Sequence, residues 1–331
     1  MEKIRVAIVG CGGVHNTHAR VLKSLDTAEL VAVCDNVPAR AEASSERYRT
    51  GIMSFEDILA DKSINSVHIC TPHYLHAPMA VRAMEAGKMV LLEKPLSINM
   101  EEAGEVLAVS KRTNAHFGVS FQNRYRPVIR KLYEMMRNGD LGEIYGGRAF
   151  VTWQRDKAYY TSVDWRGSWQ REGGSLLINQ TIHTLDLLQW LFGGVNDVKG
   201  TIRRHVFGST IETEDTAELR MITHAGAPVL FYATTGYVED SAVLIDIVAE
   251  NAKIRCEDDL IIRWKNGDRE VISEKQASGP KAYWGLMHDA LIEDFYLTYI
   301  NGERFPIGAE EAIKTMEILN KIYKNPEINK I

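Results

Sequence analysis

The chain has 331 residues, 45% of them hydrophobic and 25% charged, which is the make-up of a globular protein of about two domains. Its formal net charge of −5, without a long basic run, argues against nucleic acid as a partner. It has no apolar stretch near the roughly 20 residues that span a bilayer and no signal-peptide core, so we expect no membrane partner.

The first part of the chain alternates strand-like and helix-like segments. An apolar run at residues 4–9 predicts a strand, and Val14, His18, Leu22 and Leu25 then follow at helical spacing. The next predicted elements are strands at 30–34, 66–70, 89–92 and 117–121 and helices at 78–86 and 99–110. This alternation predicts a parallel sheet with helices on both faces.

After about residue 123 strands dominate the pattern. The predicted strands are 144–153, 198–205, 216–222, 229–235 and 243–249, with a hairpin at Asn266-Gly267 between 260–265 and 269–272. The predicted helices are 127–137, 178–191, 286–300 and 309–323. We therefore expect the second domain to be a mostly antiparallel sheet with helices on one side.

The segment between the first strand and the first helix is rich in glycine. A dinucleotide's pyrophosphate needs a tight turn, a close backbone approach and a helix N-terminus, and Gly10 and Gly12 supply the first two. Gly13 and Val14 follow, and the third motif position, normally Gly or Ala, is His15. An ordinary glycine turn is the alternative, but the place between a strand and a helix favours a dinucleotide-binding Rossmann domain.

Asp35 ends the second predicted strand, 20 positions after His15. A carboxylate there accepts hydrogen bonds from both ribose hydroxyls of the adenosine and repels a 2′-phosphate, and the next residue is Asn36, not an Arg. We therefore expect NAD as the cofactor, counting both side chains among its contacts. NADP is less favoured and stays open because Arg40 is near, and a plain strand-end cap is the alternative for Asp35.

The cysteines are scattered along the chain. None forms a CxxC pair or stands at metal-ligand spacing with a histidine: Cys11, Cys34, Cys70 and Cys256. Most of them lie in or just after apolar strand-like runs. We therefore expect buried free thiols, no metal site and a reducing, cytoplasmic location.

Further segments resemble the glucose–fructose oxidoreductase / inositol dehydrogenase / rhizopine-catabolism (Gfo/Idh/MocA) family over nearly the whole length. They are residues 10–15, 71–76, 86–88, 93–95, 122–125, 142–144 and 173–174, followed by Asn179 and His183. The predicted fold class is thus α/β, with a Rossmann NAD-binding domain at 1–122 and a C-terminal α+β domain at 123–331 built on a large, mostly antiparallel open sheet. The resemblance also implies a homodimer or homotetramer formed through that sheet.

The Glu93-Lys94-Pro95 segment is the most telling part of the resemblance. A Lys at the carboxyl end of a parallel strand lies at the crevice where such sheets bind ligands. Its ammonium can hydrogen-bond the reacting oxygen as hydride moves, so we predict that Lys94 is catalytic and contacts the cofactor. Glu93 either orients Lys94 or caps the strand, and a solvated surface Lys is the alternative.

Asn179 and His183 stand four apart on the predicted helix and so share one face. His suits proton exchange with a substrate hydroxyl near neutral pH. In the family the first position is often Asp, and an Asn can hold a hydroxyl but cannot take its proton. We predict His183 as the acid/base and Asn179 as a substrate-positioning member of the catalytic set, with Asp186 structural.

The resemblance and the residue types extend the predicted site. Residues assigned to the cofactor, besides those of the glycine turn, Asp35, Asn36 and Lys94, are Thr71, Pro72, His76, Glu93, Asn123, Trp165 and Arg166. Residues assigned to the substrate, besides Asn179 and His183, are Arg124, Tyr160, Trp165 and Tyr283, since aromatic faces suit the C–H face of a sugar and Arg suits hydroxyls or phosphate. Plain packing is the alternative for each aromatic residue.

The resulting hypothesis is an NAD-dependent oxidoreductase of a secondary hydroxyl or ketone in a sugar, cyclitol or sugar derivative. Two alternatives stay open. One is a regulatory protein that binds NAD without catalysis, against which Lys94 and His183 argue. The other is a glycoside hydrolase that holds NAD and cycles it, which a reaction without net NAD consumption would reveal.

Overall fold

The computed structural model describes residues 2–274 and 287–324. Its strands are β1 (Ile4–Val9), β2 (Ala28–Cys34), β3 (Gly51–Ile52), β4 (Ser66–Ile69), β5 (Met89–Leu92), β6 (Phe117–Val119), β7 (Ile144–Thr152), β8 (Val195–Arg203), β9 (Thr216–Thr223), β10 (Pro228–Thr234), β11 (Leu244–Ala249), β12 (Ala252–Cys256), β13 (Leu260–Trp264) and β14 (Arg269–Ile272). Its α-helices are α1 (His15–Ser24), α2 (Pro38–Tyr48), α3 (Phe55–Ala60), α4 (His76–Glu85), α5 (Met100–Thr113), α6 (Pro127–Asn138), α7 (Lys157–Thr161), α8 (Ile182–Leu191), α9 (His288–Ile300) and α10 (Ala309–Tyr323).

The strands form two sheets. The first is parallel throughout, in the order β3-β2-β1-β4-β5-β6, which is the doubly wound order with its switch point between β1 and β4. The second has the order β14-β13-β12-β11-β7-β10-β9-β8, and only its β7–β10 pair is parallel. The predicted fold class is confirmed.

The chain divides into two compact units, Met1–Phe121 with Met287–Met316, and Gln122–Leu286 with Glu317–Ile331. The predicted division instead kept everything after residue 122 in the second domain. Residues 287–316 belong to the first unit because their side chains are buried there. Tyr296 of α9, for example, is fully buried, with its hydroxyl 2.7 Å from His68 Nε2. These are long-range contacts, which no local pattern in the sequence announces.

The second unit buries one face of its sheet. Side chains alternate along a strand, so Ala149, Val151 and Phe231 are buried while Leu230 stays 56% exposed. A π-helical segment, Leu176–Gln180, contacts β9 and β10 on this unit. Within residues 2–274 and 287–324, no helix has the length and apolarity to cross a membrane.

The helix predicted at 178–191 is in fact two elements. The π-helical segment comes first, with i→i+5 bonds from the N–H of Gln180 to Ser175 O and from that of Thr181 to Leu176 O, and α8 follows. The predicted sharing of one face by Asn179 and His183 rested on α-helical spacing, which this π segment interrupts. Periodicity alone does not distinguish the two helix types, and π segments are frequent at functional sites.

Candidate active site

The glycine turn between β1 and α1 has two different kinds of glycine. Gly10 has a φ of 95°, and a Cβ there would lie 2.6 Å from the carbonyl oxygen of Cys70, so only glycine fits. A Cβ at Gly12 or Gly13 would meet no atom of the described chain within 4 Å. Beyond the turn, α1 begins without a side-chain cap or an acidic residue in its first turn, which suits an anionic pyrophosphate.

His15, at the third motif position, is a structural part of this turn. Its Nδ1 lies 2.7 Å from Gly12 O and its Nε2 lies 3.1 Å from Ser44 Oγ, and the side chain is buried. A carbonyl oxygen only accepts, so Nδ1 carries a proton and donates to Gly12 O. The imidazole thus links the glycine turn to α2, which contains Ser44.

Asp35 ties the turn to the end of β2. Its Oδ2 accepts the N–H of Cys11 at 2.7 Å and its Oδ1 accepts the N–H of Val37 at 2.8 Å. Each carboxylate oxygen has a second lone pair, so two ribose hydroxyls still find acceptors. Asn36 beside it is exposed. The glycine turn, the uncapped helix and Asp35 together fit a dinucleotide with a free 2′-hydroxyl.

Lys94 follows β5 at the carboxyl edge of the parallel sheet and is half-buried. Thr71 and Pro72 follow β4 at the same edge. His76 is buried, with Nδ1 2.7 Å from Pro95 O and Nε2 2.8 Å from Thr71 O, so it braces the two loops against each other. Burial lowers the His76 pKa. The contacts of Thr71, Pro72 and His76 with a cofactor stay predictions.

Glu93 lies in a buried cluster of the first unit. Its Oε1 is 2.8 Å from His18 Nε2 and 3.4 Å from His288 Nε2. Burial raises the pKa of Glu93, but the hydrogen bonds from the two imidazoles outweigh it and hold that pKa well below its usual range. The carboxylate is therefore ionised, and it holds α1 and α9 to the end of β5.

The cluster continues through further hydrogen bonds. His18 Nδ1 lies 2.9 Å from His68 Nδ1, and His68 Nε2 lies 2.7 Å from the Tyr296 hydroxyl, which also donates to Ser66 Oγ at 3.2 Å. Burial lowers the pKa of both imidazoles. Because the ionised Glu93 only accepts, His18 donates to it from Nε2. The sequence showed His18 only as one residue on a helical face.

His18, Glu93 and His288 also have the composition of a metal-ligand group, which the sequence did not predict. Each offers one ligand atom, and these atoms lie within 4.8 Å of one another. Ligands at the usual 2.0–2.1 Å from a tetrahedral zinc ion lie about 3.3 Å apart. The 2.8 Å contact between His18 and Glu93 is instead a hydrogen-bond distance. The described geometry is that of a hydrogen-bonded cluster.

In the second unit, Asn179 and His183 are half-buried polar residues among buried neighbours. Asn179 lies in the π-helical segment, and its Nδ2 donates to Glu172 Oε1 at 2.5 Å. The N–H of Gly167 donates to Glu172 Oε2, also at 2.5 Å. Burial raises the pKa of Glu172 to about 7. Sequence reasoning missed Glu172, although it directly precedes the Gly173-Gly174 pair that carries part of the resemblance.

A second buried carboxylate supports the same segment. Glu214 Oε1 accepts the N–H of Leu177 at 2.9 Å and the Tyr323 hydroxyl at 2.7 Å, and burial raises its pKa. A Cβ at Gly174 would lie 2.3 Å from that tyrosine hydroxyl, so this position requires glycine. The π-helical segment thus rests on two glutamates, neither of which has a recognisable motif spacing in the sequence.

Arg124 is buried and bidentate on Asp186, with Nε 2.7 Å from Oδ2 and Nη2 2.6 Å from Oδ1. Its guanidinium also lies 4.9 Å from the centre of the Trp190 ring. The structural role predicted for Asp186 agrees with this pair. Arg124 anchors α8 through it, and a contact of Arg124 with substrate stays a prediction.

The segment of residues 159–169, which holds several aromatic side chains, is partly a packing element. Tyr160 is buried against Phe207 and Ile211, with its hydroxyl 3.0 Å from Thr235 Oγ1, so its predicted substrate contact finds no support in this geometry. Burial raises the pKa of Tyr160 to about 12. Arg166 lies over the Tyr159 ring, 4.0 Å from its centre.

The remaining predicted positions are placed as follows. Trp165 is half-buried, with the Arg166 guanidinium 5.6 Å from its ring centre. Asn123 is half-buried in the 3₁₀ turn Gln122–Tyr125. Tyr283 lies outside the described residues. Cofactor contacts of Asn123, Trp165 and Arg166 stay predictions.

Comparison with known proteins gives this arrangement a family. Residues 4–121 match the model described as oxidoreductase family, NAD-binding Rossmann fold, and residues 129–255 match the GFO/IDH/MocA C-terminal domain. The WlbA dehydrogenase from Chromobacterium violaceum, solved in complex with NADH and UDP-GlcNAcA, is 30% identical with a TM-score of 0.85, over 98% of this chain and 93% of that chain. The chain belongs to the Gfo/Idh/MocA family.

Curated members of the Gfo/Idh/MocA family match over part of their length. Inositol 2-dehydrogenase from Rhizobium meliloti (strain 1021) is 30% identical over 57% of this chain and 55% of the relative. D-glucoside 3-dehydrogenase from Escherichia coli (strain K12) is 32% identical over 57% of this chain and 54% of the relative. The match spans about half the length of these curated relatives.

Proposed function

We propose that this Gfo/Idh/MocA chain is an NAD-dependent oxidoreductase that transfers a hydride between nicotinamide and a secondary hydroxyl or ketone of a sugar, cyclitol or sugar derivative. The observation that carries the proposal is the glycine turn, open at Gly12 and Gly13, before the uncapped N-terminus of α1. Relatives named for inositol and glucoside oxidation support the substrate class.

The cofactor is held by the first unit. The backbone of the glycine turn and the start of α1 bind the pyrophosphate, and Asp35 binds the adenosine ribose. When bound, NAD supplies the site that accepts or gives up the hydride. Residues 71–72, Asn123, Trp165 and Arg166 are the further contacts that we propose.

Two side chains share the chemistry in this proposal. Lys94 Nζ donates a hydrogen bond to the reacting oxygen and stabilises the negative charge that develops there. A ring nitrogen of His183 takes the hydroxyl proton in oxidation and returns it in reduction. Asn179 holds a substrate hydroxyl in place without accepting its proton.

A spectrophotometric screen of sugars, polyols and nucleotide sugars against NAD and NADP tests the activity. On the substrate found, Lys94→Met should keep NAD binding and lower turnover at least ~100-fold, because a transition-state hydrogen bond is lost. Near-normal turnover of the variant would remove Lys94 from the mechanism. NAD binding without any turnover would indicate a regulatory protein, and glycoside cleavage without net NAD reduction would indicate a hydrolase.

The partner that we propose is a second copy of the chain. One face of the second sheet exposes apolar side chains on adjacent strands: Leu230 is 56% and Val248 43% exposed, and the rings of Phe150 and Tyr232 lie 6.3 Å apart across the β7–β10 pair. An apolar sheet face of this kind is typical of a protein–protein interface. We also propose a cytoplasmic location, since all four cysteines are free.

A further inference from the structure

The π-helical segment Leu176–Gln180 begins without a cap of its own. The first N–H groups of a helix have no acceptor inside the helix, and a buried N–H group must be paired with one. Ser175, at the cap position, makes no side-chain cap hydrogen bond within the described chain, and residues 176–178 are fully buried. The start of the segment therefore depends on acceptors from other parts of the second unit.

Glu214 supplies most of these acceptors. Its Oε1 accepts the N–H of Ser175 at 3.3 Å and that of Leu177 at 2.9 Å. Its backbone oxygen accepts the N–H of Leu176 at 3.3 Å. A capping oxygen usually comes from the residue just before the helix, whereas this one comes from a buried residue just before β9. One distant residue thus pairs three successive N–H groups.

Tyr323, at the end of α10, completes the cap. Its hydroxyl donates to Glu214 Oε1 at 2.7 Å, and the N–H of Ile178 faces the same hydroxyl. The ring is held by an edge contact with Trp169, whose ring centre lies 5.0 Å away. The tyrosine therefore orients the capping carboxyl group and also serves the next N–H group of the segment.

Asn179 is bonded directly to the capped turn. Its N–H donates to Ser175 O at 3.0 Å, and the N–H of Gln180 donates to the same oxygen at 3.3 Å. A π-helical turn is rarer than an α-helical one and persists where its surroundings hold it. Without the cap, the turn would fray or rewind toward α-helical spacing, and either change moves Asn179 around the helix axis.

We propose that Glu214 and Tyr323 are positioning residues, which hold the π-helical segment and thereby set where Asn179 meets the substrate. This inference rests on the proposed function for the role of Asn179, but the cap itself consists of contacts within the second unit. A residue near the end of the last described helix thus supports the site, although neither its spacing nor its neighbours in the sequence indicate this.

The cap can be measured without any substrate, by hydrogen–deuterium exchange. The peptide that covers residues 175–181 should exchange about 3- to 10-fold faster in Tyr323→Phe than in the wild type, the scale of one lost hydrogen bond. Glu214→Ala should accelerate it further. The matched control is Ser54→Ala, which removes the side-chain cap of α3 in the first unit. It should accelerate exchange at residues 55–60 and leave residues 175–181 unchanged.

The kinetic test uses the substrate found by the screen. Tyr323→Phe should raise its KM about 3- to 10-fold and leave the Kd for NAD unchanged. Glu214→Gln keeps an oxygen that accepts the capped N–H groups, so its KM should lie closer to the wild-type value than that of Glu214→Ala. Ser54→Ala should keep the wild-type KM, although it also loses a helix cap.

A double variant distinguishes positioning from general stabilisation. In an Asn179→Ala background, Tyr323→Phe should raise the KM no further, because the side chain through which it acts is gone. Effects of the two substitutions that multiply independently, or a Tyr323→Phe enzyme with the wild-type KM, would show that the cap is merely structural.

The exchange measurement separates this inference from the proposed function. Unchanged exchange at residues 175–181 in both Tyr323→Phe and Glu214→Ala would show that these two residues do not hold the segment. If the wild type oxidises no sugar or polyol, the proposed function fails, and the exchange rates alone then decide whether the cap holds the segment.

Discussion

At the scale of single residues, we expect the carboxylate of Asp35 to select between NAD and NADP. Its oxygens are already oriented by the N–H groups of Cys11 and Val37. Because that orientation is fixed by backbone, the negative charge cannot turn away from a 2′-phosphate brought beside it. The preference for NAD over NADP should therefore depend on Asp35 rather than on the glycine turn as a whole.

We expect NAD to bind more tightly than NADP by about 1–3 kcal/mol, from like-charge repulsion and lost ribose hydrogen bonds. Calorimetric titration of the wild type with both cofactors measures the difference between the two binding free energies. The same difference should be smaller in Asp35→Ala. Equal or tighter binding of NADP by the wild type would contradict the role of Asp35.

Glu172 also links folding to pH at the residue scale. Its pKa is raised to about 7 in the folded chain, against the 4.5 of an exposed glutamate. The folded state therefore holds this proton more tightly, so the stabilisation is complete below about pH 4.5 and is lost as the pH rises through 7. Stability is lost because the ionised carboxylate is buried away from water in the folded chain.

We expect the free energy of unfolding to fall by about 3 kcal/mol as the pH rises from below 4.5 to above 7, at 1.36 kcal/mol per pKa unit. It is measured as the free energy of unfolding of the wild type minus that of Glu172→Gln, in denaturant titrations from about pH 5 to about pH 8. Subtracting the variant removes the titration of the other groups. A difference that stays constant across this range would mean that Glu172 titrates at its ordinary pKa.

At the scale of elements, the junction of β1 and α1 separates a folding requirement from a binding requirement. Gly10 is required by the chain itself, because its φ is positive and the Cys70 carbonyl occupies the place of a Cβ. Gly12 meets no such obstacle within the described residues. We therefore expect two glycines two positions apart to be present for different physical reasons, Gly10 for folding and Gly12 for binding.

The pair Gly10→Ala and Gly12→Ala tests this division. Gly10→Ala should lower the free energy of unfolding by more than about 2 kcal/mol, from strain at a positive φ plus the clash. Gly12→Ala should leave the melting temperature without cofactor near the wild-type value and weaken NAD binding, since the methyl group enters the space of the pyrophosphate. A Gly12→Ala protein with undiminished NAD affinity would place the phosphates elsewhere.

At the scale of the whole molecule, the outer face of the second sheet is where we propose that a second copy of the chain docks. Arg148, Asp246 and Arg255 form an ion-pair row across β7, β11 and β12 on that face, with Leu230 and Val248 beside it. The exposed apolar side chains on this face support the proposal, since apolar surface patches often mark protein–protein contacts.

We expect Leu230→Glu to dissociate the proposed homodimer or homotetramer to monomers, because it puts a charge into the proposed apolar interface. Val238→Glu is the control: Val238 is 78% exposed but lies outside the sheet, so the assembly should keep its size. Sedimentation velocity measures both. An unchanged sedimentation coefficient for Leu230→Glu would move the interface away from this face.

By itself, the sequence determined the features that depend on neighbouring residues. The apolar runs and the glycine turn predicted the parallel sheet, and the ordered segments from residue 10 to His183 predicted the family, because strand pattern, turn chemistry and motif spacing are local properties. Asp35, Lys94 and His183 could be named for the same reason, since each stands at a fixed distance from such a segment. Their roles in binding and catalysis stay predictions.

Only the tertiary structure decided which distant residues meet. It assigned Tyr296 to the first unit and brought Glu93 together with His18 and His288. It also placed Glu172 against Asn179, which lies in a π-helical segment where α-helical periodicity predicted one regular helix. Burial and pKa follow from these contacts: Glu172 acquires a pKa of about 7 because folding removes it from water and places it near Glu214.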